Sequence, residues 1–330
     1  MKTVVTGGAG FIGSHLTDHL LSEGHDVVAL DNLSSGWMKN LREAKTYSRF
    51  RFVNADIRNP SSLEGLFDGV DWVFHLAALS DIVPSIEKPR DYFETNVNGT
   101  FNVLEASKKA NVKRFLYAAS SSCYGVAKQY PTSEGEPASP QYPYALTKYL
   151  GEQLVLHWTQ VYQLQSLVLR LFNVFGPRSR TTGAYGAVFG VFLAQKLHGK
   201  PYTVVGNGEQ TRDFTYVADV VDAFYAAAQS DLSNEFFNVG SSGHYSINYL
   251  VSLLGGPSIY IPKRPGEPDC TFADISKIRQ KLNWKAKISF EEGVSRILSC
   301  IEDFCDAPLW EPQSIQKATQ NWFKYLGVHV

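Results

Sequence analysis

Apolar and polar positions in the first half of this chain follow two alternating rhythms. Short, near-continuous apolar runs at Lys2–Thr6, Asp26–Leu30, Arg51–Asn54, Asp71–His75 and Val112–Ala118 predict strands. Between most of them lie amphipathic segments, Phe11–Ser22 and Asp91–Lys109 the clearest, which predict helices. A strand reads as an unbroken apolar run when helices cover both faces of its sheet, and parallel sheets are built that way. Short connections and right-handed crossovers then give an α/β, doubly wound parallel sheet. A long helix is predicted over Tyr144–Tyr162 and a further strand over Ser166–Phe172. Beyond it the rhythm loosens: Gly, Pro and aromatic residues gather between Gly176 and Gly208, which reads as a substrate-facing lobe. Phe236–Val239 predicts a strand that returns to the sheet, and Phe290–Leu326 is mostly helical, with breaks near Pro308 and Pro312. The expected organisation is a cofactor domain over 1–172, with returning segments near 211–240, and a smaller interleaved C-terminal α/β lobe over most of 173–330.

The first strand runs into Thr6-Gly7-Gly8-Ala9-Gly10-Phe11-Ile12-Gly13 and then a helix. Glycines here permit a tight turn, close approach of a pyrophosphate and close packing of helix on strand. The helix start adds free N–H groups and the positive end of its dipole. A glycine triplet alone is common; one that follows a strand and opens a helix is the Rossmann dinucleotide-binding turn. The second strand ends at Asp31, where a carboxylate accepts hydrogen bonds from both ribose hydroxyls of NAD and repels the extra phosphate of NADP. Asp56 and Ile57, after the third strand, are placed to bracket the adenine.

Composition removes other partners. With 330 residues, 44% of them hydrophobic, the chain buries a sizeable core. A net charge of −1 provides no general field for nucleic acid or an anionic membrane, and no apolar stretch approaches a membrane span. Cys123, Cys270, Cys300 and Cys305 form no CxxC pair, so neither a disulfide framework nor a metal site is expected. The chain starts directly on a strand-like run, and the expected location is the cytoplasm.

Tyr144 and Lys148 stand four apart at the start of the long predicted helix, on one face. A nearby ammonium favours the phenolate, which would make Tyr144 a general base. Upstream, the strand ending at Ala119 delivers Ser120, Ser121 and Ser122 to the carboxyl edge of the sheet, where ligands bind in such folds. Each feature alone is a frequent accident; the set is not. Together with His75-Leu76-Ala77-Ala78, Asn96-Val97-Asn98-Gly99-Thr100, Arg170-Leu171-Phe172-Asn173, Arg212-Asp213-Phe214 and Arg264-Pro265-Gly266-Glu267, it resembles the extended short-chain dehydrogenase/reductase family. The likeness is to the sugar-nucleotide epimerase/dehydratase branch, most of all to 4-epimerases of UDP-glucose and UDP-N-acetylglucosamine.

That resemblance implies roles. Tyr144 is the base, Lys148 lowers its pKa and holds the nicotinamide ribose, and Ser120 orients the reacting sugar hydroxyl. NAD lies along Gly7, Gly10, Phe11, Ile12, Gly13, Asp31, Asn32, Ser34, Gly36, Asp56, Ile57, Leu76, Ala77, Ala78 and Asn96. His75 and Asn96 also read as satisfied structural groups. The substrate touches Ser80, the serine run, Asn173 and Val188, while Arg212 and Arg264 grip its diphosphate. Thr271 matches a pocket gate, and Asp274 an acid near the nucleotide ribose. The predicted helices Asp91–Lys109 and Tyr144–Tyr162 match the branch's homodimer interface.

Reactions in this branch begin with hydride passing from sugar C4 to NAD. The two residues after the serine decide the later steps: Asp-Glu in dehydratases, Glu second in decarboxylases. Here both are serine, whose hydroxyl cannot replace a tuned carboxyl group. A 4-epimerase is therefore expected, in which the 4-keto sugar turns and takes the hydride back on its other face. A dehydratase or decarboxylase drawing on Asp81, and a catalytically idle NAD sensor, are the alternatives. A small gate at Thr271 leaves UDP-hexoses and UDP-N-acetylhexosamines both open.

Overall fold

Val4 and Val5 point to opposite faces of the first strand, and each enters a different core. That alternation recurs in every central strand and explains why both faces need helices. The computed structural model describes residues 1–179 and 187–327. In chain order its first half is β1 (Lys2–Thr6), α1 (Phe11–Ser22), β2 (Asp26–Asp31), β3 (Phe50–Asn54), β4 (Trp72–His75), α2 (Ile82–Glu87), α3 (Pro89–Phe93), α4 (Gly99–Lys109), β5 (Arg114–Ser120), α5 (Pro143–Tyr162) and β6 (Ser166–Leu171). With Glu235–Val239 these strands form one parallel sheet in the order Glu235–Val239, β6, β5, β4, β1, β2, β3. The order reverses between β1 and β4, and the cleft at their carboxyl ends is where such sheets bind ligands.

The strands lie where the apolar runs place them, with ends shifted by a residue or two. The predicted helix Asp91–Lys109 is a composite. α3 and α4 are joined by a π-helical turn, Glu94–Asn98, which carries the buried Asn96. α5 starts at Pro143, whose missing N–H costs nothing in a first turn.

The smaller lobe has its own aromatic core. Phe175 stacks on Phe189 at 4.7 Å, and Phe214 on Phe290 at 4.9 Å. The stretch Gly176–Gly208, expected to form a substrate-facing lobe, supplies part of that core. Phe189 and Phe192 lie on the helix Val188–Leu197 and are buried packing residues; residues 180–186 of that stretch lie outside the described residues. The strand Tyr202–Val205 pairs with Ser258–Ile261 in parallel. Between these strands the chain returns to the large sheet through the helix Val217–Gln229 and the strand Glu235–Val239. Among the described residues no helix is long and apolar enough to cross a membrane, and no cluster of three or more His, Cys, Asp or Glu could hold a metal.

Candidate active site

The glycine turn is fixed by what side chains would strike. Gly7 has φ +70°, and a Cβ there would come within 2.8 Å of the Ala77 nitrogen. A Cβ on Gly13 would collide with the Gly7 oxygen. Gly10 differs: a Cβ there would meet only the Gly7 oxygen, at 3.0 Å, so the front of the turn is open. Gly10 is also the N-cap of α1 and supplies no capping side chain to the first turn, Phe11, Ile12 and Gly13. Open space before uncapped N–H groups suits a dinucleotide pyrophosphate. Leu76 and Ala77 donate to the Thr6 backbone oxygen and side chain, each at 3.2 Å, which sets the Leu76–Ala78 loop beside the turn.

Asp31 stands at the rim of β2, 8% exposed. Its carboxylate accepts the Ala9 N–H at 3.0 Å and the Leu33 N–H at 2.8 Å. One bond per oxygen leaves lone pairs for a ribose diol. Burial raises its pKa against those two bonds. Gly36 lies against the same carboxylate, where a Cβ would approach one oxygen to 2.7 Å. Ser34 donates its N–H to Asn32, and the Asn32 amide donates to Asp56 at 3.1 Å. Arg58, which the sequence reading missed, grips Asp56 at 2.6 Å and holds its carboxyl down at about 2. Ile57 is buried beneath Gly99. The rim thus fits the adenosine half of NAD.

β5 ends at Ser120 and α5 opens at Pro143, which brings Tyr144 beside Ser120 in the cleft. The Ser120 hydroxyl lies 2.8 Å from the Ser122 hydroxyl, and the Tyr142 ring stacks on that of Tyr144. Tyr144, Ser120, Ser122 and Tyr142 therefore form a row of hydroxyl-bearing residues at the cleft. Ser121 sits in the 3-10 turn beside it. Burial pushes the Tyr144 hydroxyl up, the Ser120 bond pulls it down, and the Asp81 charge pushes it up again. Lys148 is itself buried, its Nζ 4.3 Å from the Tyr117 ring centroid, and burial draws its pKa down to about 7. One turn further, Glu152 favours the Lys148 ammonium and is paired with Arg170 at 2.6 Å in the core.

His75 and Asn96 are satisfied as expected. His75 bonds Thr6 at 2.6 Å and Thr100 at 2.9 Å, and burial holds it neutral with a pKa of about 3. Asn96 bonds both the N–H and the carbonyl of Leu79, at 2.8 and 2.9 Å, and also reaches Thr147 at 3.1 Å. Its side chain thus shapes the loop before the exposed Ser80, and its place in the cofactor set is indirect.

The two arginines expected to grip a diphosphate lie together in the smaller lobe. Arg212 and Arg264 converge on one carboxylate, Glu267, at 2.9 and 3.1 Å. Arg212 and Glu267 line a cavity of about 420 Å³ with Val205, Asn207, Gln210 and Lys263. Asp274, expected near the nucleotide ribose, accepts the Ser276 N–H at 2.8 Å in a local turn. The acid beside the arginines is Glu267. The Thr271 hydroxyl donates to the Asn173 side chain at 2.7 Å and accepts the Asp213 N–H at 3.1 Å, so gate and asparagine form one unit. Val188 is half-buried at the start of its helix. Asp213, also missed, ties three loops: it accepts the Ser241 N–H at 2.6 Å, the Ser241 hydroxyl at 2.7 Å and the Ala273 N–H at 3.0 Å. Burial pushes its pKa up to about 6.

A doubly wound sheet with this turn, this Tyr/Lys pair and this rim defines a nicotinamide-dependent enzyme, with the cofactor at the switch point and a second ligand in the smaller lobe. The sequence pattern of the NAD-dependent epimerase/dehydratase family matches residues 3–240. A UDP-glucose 4-epimerase of Mycolicibacterium smegmatis is 37% identical over 306 residues, covering 90% of this chain and 97% of that protein. The solved UDP-N-acetylglucosamine 4-epimerase of Methanobrevibacter ruminantium, in complex with UDP-N-acetylmuramic acid, is 34% identical with a TM-score of 0.85, covering 91% of this chain and 98% of its own. The UDP-glucuronic acid 4-epimerase of Bacillus cereus, in complex with UDP-glucuronic acid and NAD, is 33% identical at the same TM-score of 0.85, with 92% and 99% covered. The chain belongs to the NAD-dependent epimerase/dehydratase family. It is an enzyme, and NAD is its cofactor.

Proposed function

We propose that this protein is a 4-epimerase of a UDP-linked sugar, a UDP-hexose or a UDP-N-acetylhexosamine. The observation that carries the reading is that the residues grouped at the cleft, Tyr144, Ser120, Ser122 and Tyr142, offer hydroxyls alone, with Ser120 and Ser122 hydrogen-bonded to each other and the two tyrosine rings stacked. Loss of water or CO₂ needs a further tuned acid or base at the sugar, and this row offers none. NAD, held at the glycine turn and Asp31, would supply a reversible hydride acceptor for sugar C4. Tyr144 takes the proton of the 4-hydroxyl and later gives it back. Ser120 orients that hydroxyl and favours the phenolate by its hydrogen bond. Arg212 and Arg264 hold the diphosphate, which leaves the 4-keto ring free to turn about its tether. The relatives' names support UDP as the handle and leave the sugar open, since they name three different ones.

A second reading makes Asp81, the N-cap residue of α2 just after the Leu76–Ala78 loop, the acid of a dehydratase or decarboxylase. One experiment separates them. The enzyme is incubated in heavy water with UDP-glucose, UDP-N-acetylglucosamine and UDP-glucuronic acid, and products are read by mass spectrometry and NMR. The expected product is a C4 epimer of unchanged mass with no deuterium on carbon. A product lighter than its substrate would sink the epimerase reading.

The partner we propose is a second copy of the chain. Phe101, Leu146, Val161 and Tyr162 are large apolar side chains left exposed on α4 and α5. A self-complementary four-helix contact between two copies would cover them.

A further inference from the structure

The last described helix, Gln320–Leu326, reaches the site. Its Trp322 is 2% exposed and touches parts of the site that come from both lobes. The indole N–H donates to the Pro265 carbonyl at 2.7 Å, and the Arg264 guanidinium lies 5.4 Å from the ring centroid. The Tyr142 ring is 6.2 Å away on the cofactor side. Tyr142 stacks on Tyr144 at 6.5 Å with an interplanar angle of 7°. One indole thus joins the arginine end of the clamp to the aromatic pair that contains the base. The helix also packs on α2, where the Asn321 amide donates to Glu87 at 3.3 Å. It is anchored behind by Ile315, buried in the third core, and by the buried Thr319, whose hydroxyl donates to the Ile315 carbonyl at 2.8 Å.

We propose that this C-terminal helix is a working part of the substrate site, with Trp322 the positioning residue that holds the Arg264 loop in register with Tyr142 and the catalytic tyrosine. What the clamp holds rests on the nucleotide-sugar reading; the positioning itself does not. Arg264 has a long, rotamer-rich side chain on a loop whose Gly266 has φ +70°. Ordering such a group only when the anion arrives costs affinity, and a preset cation–π contact with an anchored loop lowers that cost. Losing the indole should therefore weaken binding more than it slows the chemical step.

The test uses the full-length, NAD-loaded enzyme and its Trp322→Ala and Trp322→Phe variants. Hydrogen exchange is followed over 264–267, UDP binding by calorimetry, and KM and kcat by turnover. Trp322→Ala should raise exchange in that loop and weaken UDP binding and KM on the order of tenfold, with a smaller change in kcat and unchanged NAD content. Trp322→Phe keeps a ring without the N–H and should recover most of the loss. If the alanine variant fails to retain NAD, Trp322→Leu, apolar and without a π face, takes its place. Exchange over 264–267 equal to wild type, or UDP affinity equal to wild type, overturns the proposal. Wild type that binds UDP without epimerising sugars would overturn the function above and leave this role standing. If wild type does not bind UDP, the exchange pattern alone decides it.

Discussion

Tyr144 carries opposing influences that can be varied one at a time. Tyr144→Phe keeps the ring that stacks on Tyr142 but removes the proton acceptor, so turnover should fall by about 10²–10⁴-fold with fold and NAD content intact. Initial rates and cofactor content check this, and Ser120→Ala should lose less. Asp81 is a lever on pH. Its negative charge disfavours the phenolate and raises the Tyr144 pKa, so Asp81→Asn should move the acidic limb of the kcat–pH profile to lower pH. A limb that stays in place would show that Tyr144 does not feel this charge. Total loss of activity at every pH would instead make Asp81 the missing acid of the second reading. Much at this scale was legible in the sequence, because hydroxyl, ammonium and guanidinium groups carry their chemistry with them. Which acid faces the arginines was not. Glu267, Asp269 and Asp274 follow one another along one stretch, and only the path of the chain puts the first against Arg212 and turns the last onto its own helix start.

Elements were legible where burial leaves a periodic trace. The strands are covered on both faces, so each appears as an apolar run. α5 shows its inner face to β5, and there its tightest point is Gly151. A Cβ on Gly151 would collide with the Tyr117 hydroxyl, which donates to the Lys148 carbonyl at 3.3 Å. Gly151→Ala should therefore push α5 off the sheet at the turn that carries Lys148. We expect a loss of stability of about 1–3 kcal/mol, read by thermal unfolding, together with a fall in turnover. An unchanged melting temperature would mean that α5 adapts without moving. The π turn before α4 left no trace in the sequence. One extra residue per turn does not change which residues are apolar, and Asn96 reveals itself only through its bonds to Leu79 on another segment.

At the scale of the whole molecule, the apolar residues left uncovered on α4 and α5 set an expectation about assembly. Val161→Glu puts a charge on that face at a residue that is 52% exposed, and it should convert a dimer to a monomer in light scattering at micromolar concentration. A monomeric wild type would remove this interface. The interleaving of lobes was legible because one late apolar strand had to return to the sheet. The link from the C-terminal helix to the cleft was not, since a lone tryptophan in an amphipathic tail reads as ordinary packing. The row of hydroxyls has a consequence beyond the cleft. A site that ends each cycle with the same proton on Tyr144 and the same cofactor as at the start has no driving force of its own. The ratio of the two epimers in solution then belongs to the sugars, and the protein can bias it only while they are bound, by differential affinity. Net direction would come from whichever reaction removes one epimer, and flux through this enzyme would reverse when that demand does.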